Sequence, residues 1–134
     1  MFGDSPATGD AHRCSVLIVE DDALLAMAIG LCVEDAGYEV AGRARSVDAA
    51  LSVLAQEKVD AALLDINLRG ELVFPVANAL AERGVPFVFV TAHASTLIPD
   101  RHRDRPVVLK PYYDAALCAA LASVLPQGAA GSAG

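Results

Sequence analysis

Acidic, hydroxyl and amino side chains collect at the ends of short apolar runs in this chain. Glu20, Asp21 and Asp22 follow SVLIV, Asp65 and then Asn67 follow the run ALL, Thr91 closes PFVFVT, and Lys110 closes VVLK. Three or four carboxylates brought to one spot repel one another unless a cation sits among them, and an all-oxygen donor set suits Mg²⁺. A lone ammonium and a hydroxyl beside that cation complete a site for an anion. These are the parts a phosphoryl group needs, because its transfer depends mostly on positioning and charge stabilisation. Asp65 is the best nucleophile of the set, since carboxylates form aspartyl-phosphate intermediates and this one directly follows a buried run.

Such groups meet only if the runs that carry them lie side by side. Five apolar runs, SVLIV, YEVAGRA, VDAALLDI, PFVFVT and VVLK, alternate with longer Ala/Leu-rich patterns. Continuous apolar runs separated by helical stretches predict strands buried on both faces, hence a doubly wound α/β domain with a parallel sheet and helices on either side. In an open parallel sheet the positions after the strand carboxyl ends line one crevice, where ligands bind. Gly37 and Gly84 stand where helix C-caps belong, Ser46 can cap the second helix, and Pro75 suits a first turn. Only the stretch from Ala92 to Pro106 has no helical stripe, and its length marks it as functional or mobile.

The chain has 134 residues, 54% of them hydrophobic and only 20% charged, no Trp, and a formal net charge of -7. Mean hydropathy is +0.43. One domain follows, too apolar for intrinsic disorder and too acidic to hold a polyphosphate backbone by charge. Nucleic acid is not expected as a direct partner on this ground. The longest uncharged run, Ala23 to Val33, is well short of the ~20 residues a membrane span needs, and the first residues have no apolar signal core. A cytoplasmic protein without membrane attachment is expected. Residues 1–13 and 126–134 read as tails around a folded unit of residues 14–125. Cys14, Cys32 and Cys118, odd in number and widely spaced, read as ordinary reduced thiols.

With these residues in view, the stretch from Val16 to Leu125 resembles the receiver domain of a two-component response regulator. The acidic pair in IVEDD, Asp65 in LLDINLRG, Thr91 followed by Ala92, and the Lys110-Pro111 dipeptide carry the resemblance. It implies a CheY-like sheet of order 2-1-3-4-5, and Asp65 as the phosphoacceptor of a stand-alone regulator rather than an enzyme. It implies Mg²⁺, with Mn²⁺ as a substitute, held by Asp21, Glu20 through water, Asp65 and the Asn67 backbone carbonyl. It also implies Thr91 bonding a phosphoryl oxygen, Lys110 pairing with it, and a cis Lys110-Pro111 bond. The donor would be a histidine kinase or histidine phosphotransferase, and output would pass through protein binding.

Two departures stand out. The family's aromatic switch ring, three residues before the Lys, is replaced by Val107. The segment PFVFVTAH (Pro86 to His93) resembles the FATGUY subgroup, which lacks that ring and has an irregular fourth helix, although Val90, Ala92 and His93 deviate from its pattern. A pseudo-receiver acting without phosphorylation and a receiver fragment of a hybrid kinase are the alternatives. An aspartyl phosphatase would want a second acid where Asn67 stands.

Further residues have weaker signals. The resemblance implies that Asn67, two residues beyond Asp65, tunes phosphoryl lifetime, and His93, two beyond Thr91, is placed to reach over the phosphoryl group and influence attack by water. Arg101, Arg103 and Arg105 form a basic cluster suited to an acidic partner. In the first helix Leu25, Ala28, Ile29, Cys32 and Ala36 form the stripe expected to face the sheet. Leu24, Met27 and Leu31 form a second stripe, expected to meet a kinase helix bundle or a second copy of the chain; the last helix, uncharged from Ala115 to Leu125, is the other candidate dimer face.

Overall fold

Successive side chains of a strand point to opposite faces of its sheet, so the predicted apolar runs need cover on both sides. The computed structural model, which describes residues 13–92 and 97–125, supplies it for Ser15–Val19, Ala61–Asp65 and Phe87–Thr91, whereas the outer strands Glu39–Ala44 and Val107–Leu109 are covered only in part, because each sits at an edge of the sheet. In chain order the elements are β1 (Ser15–Val19), α1 (Ala23–Asp35), β2 (Glu39–Ala44), α2 (Val47–Gln56), β3 (Ala61–Asp65), β4 (Asn67–Leu68), β5 (Glu71–Leu72), α3 (Phe74–Glu82), β6 (Phe87–Thr91), a 3-10 turn (Asp100–His102), β7 (Val107–Leu109) and α4 (Asp114–Val124). Five strands pair in parallel in the order β2-β1-β3-β6-β7. The doubly wound architecture and strand order expected from the sequence are those found.

The two faces have separate cores. Val16, Ile18, Ala61, Leu63, Val88 and Val90 pack under α1 and α4, where Ile29, Val33, Leu117 and Leu121 meet them. Leu17, Val19, Ala62, Leu64, Phe87 and Phe89 face the other way, against Ala50 and Leu54 of α2 and Val76, Ala77 and Leu80 of α3. The helix ends follow their local chemistry. The Ser46 hydroxyl accepts from the Ala49 amide at 3.1 Å, Pro75 sits in the first turn of α3, and Gly37 and Gly84 take positive φ just beyond α1 and α3.

Two details differ from the sequence reading. The buried stripe of α1 is Ala26, Ile29, Gly30, Cys32 and Val33, while Ala28 is exposed and Leu25 and Ala36 are only half-buried. The helix is apolar almost all round, so its periodicity could not locate the stripe. Leu24, Met27 and Leu31, the second stripe, are exposed at 75%, 54% and 55%, which leaves that face open as the sequence reading expected. Finally, residues 67–72, with no turn signal such as Asn-Gly, form a hairpin. Its two-residue turn, Arg69-Gly70, has φ of 56° and 92°. Gly suits the second position, whereas Arg at the first is strained.

No α-helix stands among the described residues between β6 and β7, as the broken pattern there predicts. The 3-10 turn instead puts His102, 1% exposed, against the sheet. Its ring meets Phe87 and Phe89 edge-on, with centroids 5.4 and 6.4 Å away, and Nε2 lies 2.8 Å from Asn78 Oδ1. Among the described residues Nδ1 has no hydrogen-bond partner. Burial, then the charges of Arg101 and Arg105, hold this imidazole below its ordinary pKa of 6.5. The unfolded chain therefore takes up a proton near 6.5 that the folded chain resists, so stability falls as pH drops below that value and levels off once the folded ring is protonated. In urea melts His102→Phe should gain on wild type as pH falls from about 7 to about 5; a constant difference would contradict the assignment.

Candidate functional site

Strand register brings the chemistry together. Val19 pairs with Leu64, Asp65 with Val90 and Thr91 with Leu109, so the carboxyl ends of β1, β3, β6 and β7 finish level with one another. Glu20, Asp65 and Thr91 are buried and Asp21 is half-buried. One carboxylate oxygen from each of Glu20, Asp21 and Asp65 lies within 4.8 Å of the others. Lys110 Nζ reaches into this group, donating to Glu20 Oε1 at 2.8 Å and to Asp65 Oδ2 at 3.2 Å. Its amide donates to the Thr91 carbonyl at 2.8 Å, which fixes Lys110 beside Thr91. The Lys110-Pro111 bond is cis.

The electrostatics describe a site in which carboxylates crowd around a single half-buried ammonium. Burial pushes the Glu20 carboxyl up; its hydrogen bonds from Lys110 and the Asp22 amide only partly offset this, and Asp65 adds to it. Burial pulls the Lys110 ammonium down, but the hydrogen bond to Glu20 and the charge of Asp65 reverse this and leave it above its ordinary value. A hard divalent cation among three carboxylate oxygens fits this donor set and would offset the repulsion between Glu20 and Asp65.

Asp22 is not part of that set. Its Oδ1 accepts from the Leu24 and Leu25 amides at 3.0 and 3.1 Å, so it caps α1, while its own amide donates to Glu20 Oε2 at 3.1 Å. Of the acids after the first run, two face the site and the third orders the helix that follows. Asn67 opens the hairpin, where its Oδ1 accepts from the Gly70 amide at 2.6 Å. That turn carries a residue the sequence reading missed: Arg69 Nε lies 3.1 Å from Asp21 Oδ2. An exposed arginine four residues beyond Asp65 reads from sequence as ordinary surface charge. Glu71, also in the hairpin, accepts from the Val47 amide at 3.1 Å and links the site to the start of α2.

Other expected residues are dispersed. His93 lies outside the described residues. Val107, in place of the ring, is 41% exposed on β7. The basic cluster is divided only in part: Arg103 pairs with Asp100 at 2.9 Å, while Arg105, which lies over the Phe87 ring at 4.4 Å, borders one hollow together with Arg101, Pro86, Asp104 and Pro106. Beside the acidic site a second, mainly apolar hollow of about 430 Å³ is lined by Leu25, Ala92, Lys110, Pro111 and Tyr112. Tyr112 is half-buried there, whereas Tyr113 is exposed.

A five-stranded doubly wound sheet with acids, Thr and Lys at its carboxyl edge defines a class, and residues 16–122 match the response regulator receiver domain model. The chain belongs to that family. Among solved structures it is similar to SdrG from Sphingomonas melonis Fr1, with 41% identity and a TM-score of 0.74 over 84% of this chain and 96% of that one. The PhyR receiver domain of Erythrobacter litoralis is 26% identical, with a TM-score of 0.77 over 87% and 92%. Among curated proteins, PhyR of Methylorubrum extorquens is 30% identical over 82% of this chain and 43% of its own. The transcriptional regulatory protein PdtaR of Mycobacterium tuberculosis is 28% identical over 78% and 51%. The chain thus spans about half the length of the curated relatives it matches. No helix among the described residues is long and apolar enough to cross a membrane.

Proposed function

We propose that this chain is a phosphorylatable switch that accepts a phosphoryl group on Asp65 from a phosphohistidine donor, with Mg²⁺ required. One observation carries this reading: Lys110 bridges Glu20 and Asp65 inside a three-carboxylate cluster at the sheet's carboxyl edge. An Asp65 oxygen attacks phosphorus, the P–N bond breaks, and the leaving imidazole nitrogen takes up a proton. Asp21, Asp65, the Asn67 carbonyl and, through water, Glu20 would hold the Mg²⁺, which would neutralise charge on the phosphoryl oxygens. Lys110 turns from the Asp65 carboxylate to a phosphoryl oxygen, and the Thr91 hydroxyl donates to another. Asn67 and His93 set how readily water then attacks the acyl phosphate. The ~2 negative charges added at the crevice draw Thr91 inward and reshape the segment from Ala92 to Pro106, which signals by binding another protein rather than by catalysis.

Acetyl phosphate tests the reading directly. Incorporation of phosphate should require Mg²⁺, and Glu20→Gln or Asp21→Asn should raise the Mg²⁺ concentration needed by roughly tenfold or more, because each removes a ligand charge. Uptake without a divalent cation, or uptake indifferent to both substitutions, contradicts it.

The donor is a histidine kinase or histidine phosphotransferase helix bundle that rests on Leu24, Met27 and Leu31. These exposed side chains stand on the helix whose Leu25 lines the hollow beside Lys110, which supports their use by an incoming phosphohistidine. Leu24→Glu with Leu31→Glu should slow transfer from the protein donor by about tenfold or more while leaving uptake from acetyl phosphate unchanged. Equal rates with the protein donor exclude this surface. A change in oligomeric state with unaltered transfer assigns it to a second copy instead.

A further inference from the structure

Cys32 and Cys118 are 86 residues apart and lie on different helices, yet their Sγ atoms are 3.2 Å from each other. The contact arises because α1 and α4 cover the same face of the sheet, and each contributes its cysteine to their shared core. Both thiols are free, as is Cys14. Cys32 is 7% exposed, whereas Cys118 is only half-buried. Cys32 Sγ also approaches the Asp114 carbonyl at 3.9 Å, and Cys118 Sγ approaches the Cys32 carbonyl at 4.0 Å.

We propose that Cys32 and Cys118 form a peroxide-responsive dithiol, in which oxidation of Cys118 is resolved by Cys32 into a disulfide that ties α1 to α4. In the first step the Cys118 thiolate attacks one oxygen of hydrogen peroxide. The O–O bond breaks, hydroxide leaves, and Cys118 becomes a sulfenic acid. In the second, the Cys32 sulfur attacks the Cys118 sulfur, the S–O bond breaks, and the Cys32 proton leaves with the hydroxyl as water. The two thiols lose two electrons and one peroxide is reduced to two waters. An external dithiol reverses the change by thiol–disulfide exchange.

The geometry assigns the order of the steps. Cys118 is the thiol that solvent-borne peroxide can reach. Burial, then the hydrogen bond and charge of Cys118, push the Cys32 thiol up to about 12, so Cys32 keeps its proton while Cys118 reacts. Once the sulfenic acid has formed, the neighbouring Cys32 sulfur is already in place, and the second step is effectively unimolecular. The cross-link acts beside the acidic site, because α4 begins at Asp114, a few residues after Lys110-Pro111, and Tyr112 packs into the same core as Cys32. The disulfide therefore fixes the helix that follows the Lys110 loop, whether or not Asp65 is phosphorylated.

The test treats the full chain with hydrogen peroxide, then maps thiols and cross-linked peptides by mass spectrometry without reduction. Wild type should lose two of its three thiols with a mass loss of two hydrogen atoms, give an intramolecular Cys32–Cys118 peptide, and recover on adding dithiothreitol. Cys14→Ser should behave the same way. Cys32→Ser should instead accumulate a sulfenic acid at Cys118 that a 1,3-dione reagent traps, and Cys118→Ser should trap none at Cys32. Three thiols that stay free in peroxide-treated wild type, a disulfide only between chains, or trapping at Cys32 rather than Cys118 would overturn the proposal. Where a serine variant folds poorly, the thiol count and cross-linked peptide of the wild-type protein still decide between these outcomes.

Discussion

Asp65→Asn should abolish phosphate incorporation from acetyl phosphate and from any phosphohistidine donor, to below detection, while leaving the fold intact. The amide matches the carboxylate in size and stays beside Lys110 Nζ, which lies 3.2 Å from Asp65 Oδ2. It is not a nucleophile toward phosphorus, so the loss falls on the chemical step and not on packing. The same substitution removes one of two negative charges that Lys110 must balance, and it should therefore cost little stability. Phosphate trapped on the Asp65→Asn protein would refute the central assignment. A denaturation midpoint far below that of wild type would instead show that Asp65 also supports the fold.

Lys110→Met should have the largest effect on stability among the site residues, about 3 kcal/mol in the absence of divalent cation. Its ammonium bridges the buried Glu20 and Asp65 carboxylates, and methionine fills similar volume without charge. The two acids are then left to repel each other in a partly dry crevice. Two controls separate this from simple loss of packing. Mg²⁺ should restore more stability to Lys110→Met than it adds to wild type, since a ligand that binds only the folded form stabilises it more the tighter it binds. In the Asp65→Asn background the same change should cost less, giving a measurable coupling between the two positions. Additive losses, or no extra response to Mg²⁺, would show that the lysine acts mainly through its alkyl chain.

How much of this was legible in the sequence varied with how local the cause was. Val16 to Val19, Ala61 to Leu64 and Phe87 to Val90 are apolar at every position, and full burial on both faces of a parallel sheet is the simplest way to satisfy them. Once those strands are parallel, their polar terminators must share an edge, and so Glu20, Asp65, Thr91 and Lys110 could be named together. The Arg69-Gly70 turn was not legible, because a positive φ at arginine is imposed by strand pairing and has no local preference behind it. Nor was the buried stripe of α1, whose apolar residues surround the whole helix. Asp21 and Asp22 are adjacent and chemically identical, and only the path of the backbone into α1 sends one toward the acidic cluster and makes the other a cap.

By itself the sequence determined the set of reactive groups and the order in which strands present them, because alternation of buried strands with helices is a local pattern with few compatible topologies. Only the tertiary structure decided which groups touch. It brought Cys32 against Cys118 across 86 residues, turned His102 inward onto Phe87 and Phe89 where a helix could have lain, and set Arg69 against Asp21. Contacts of that kind depend on how whole elements pack over a sheet face. Packing is fixed by shape and burial summed over many residues, which no single stretch of sequence encodes.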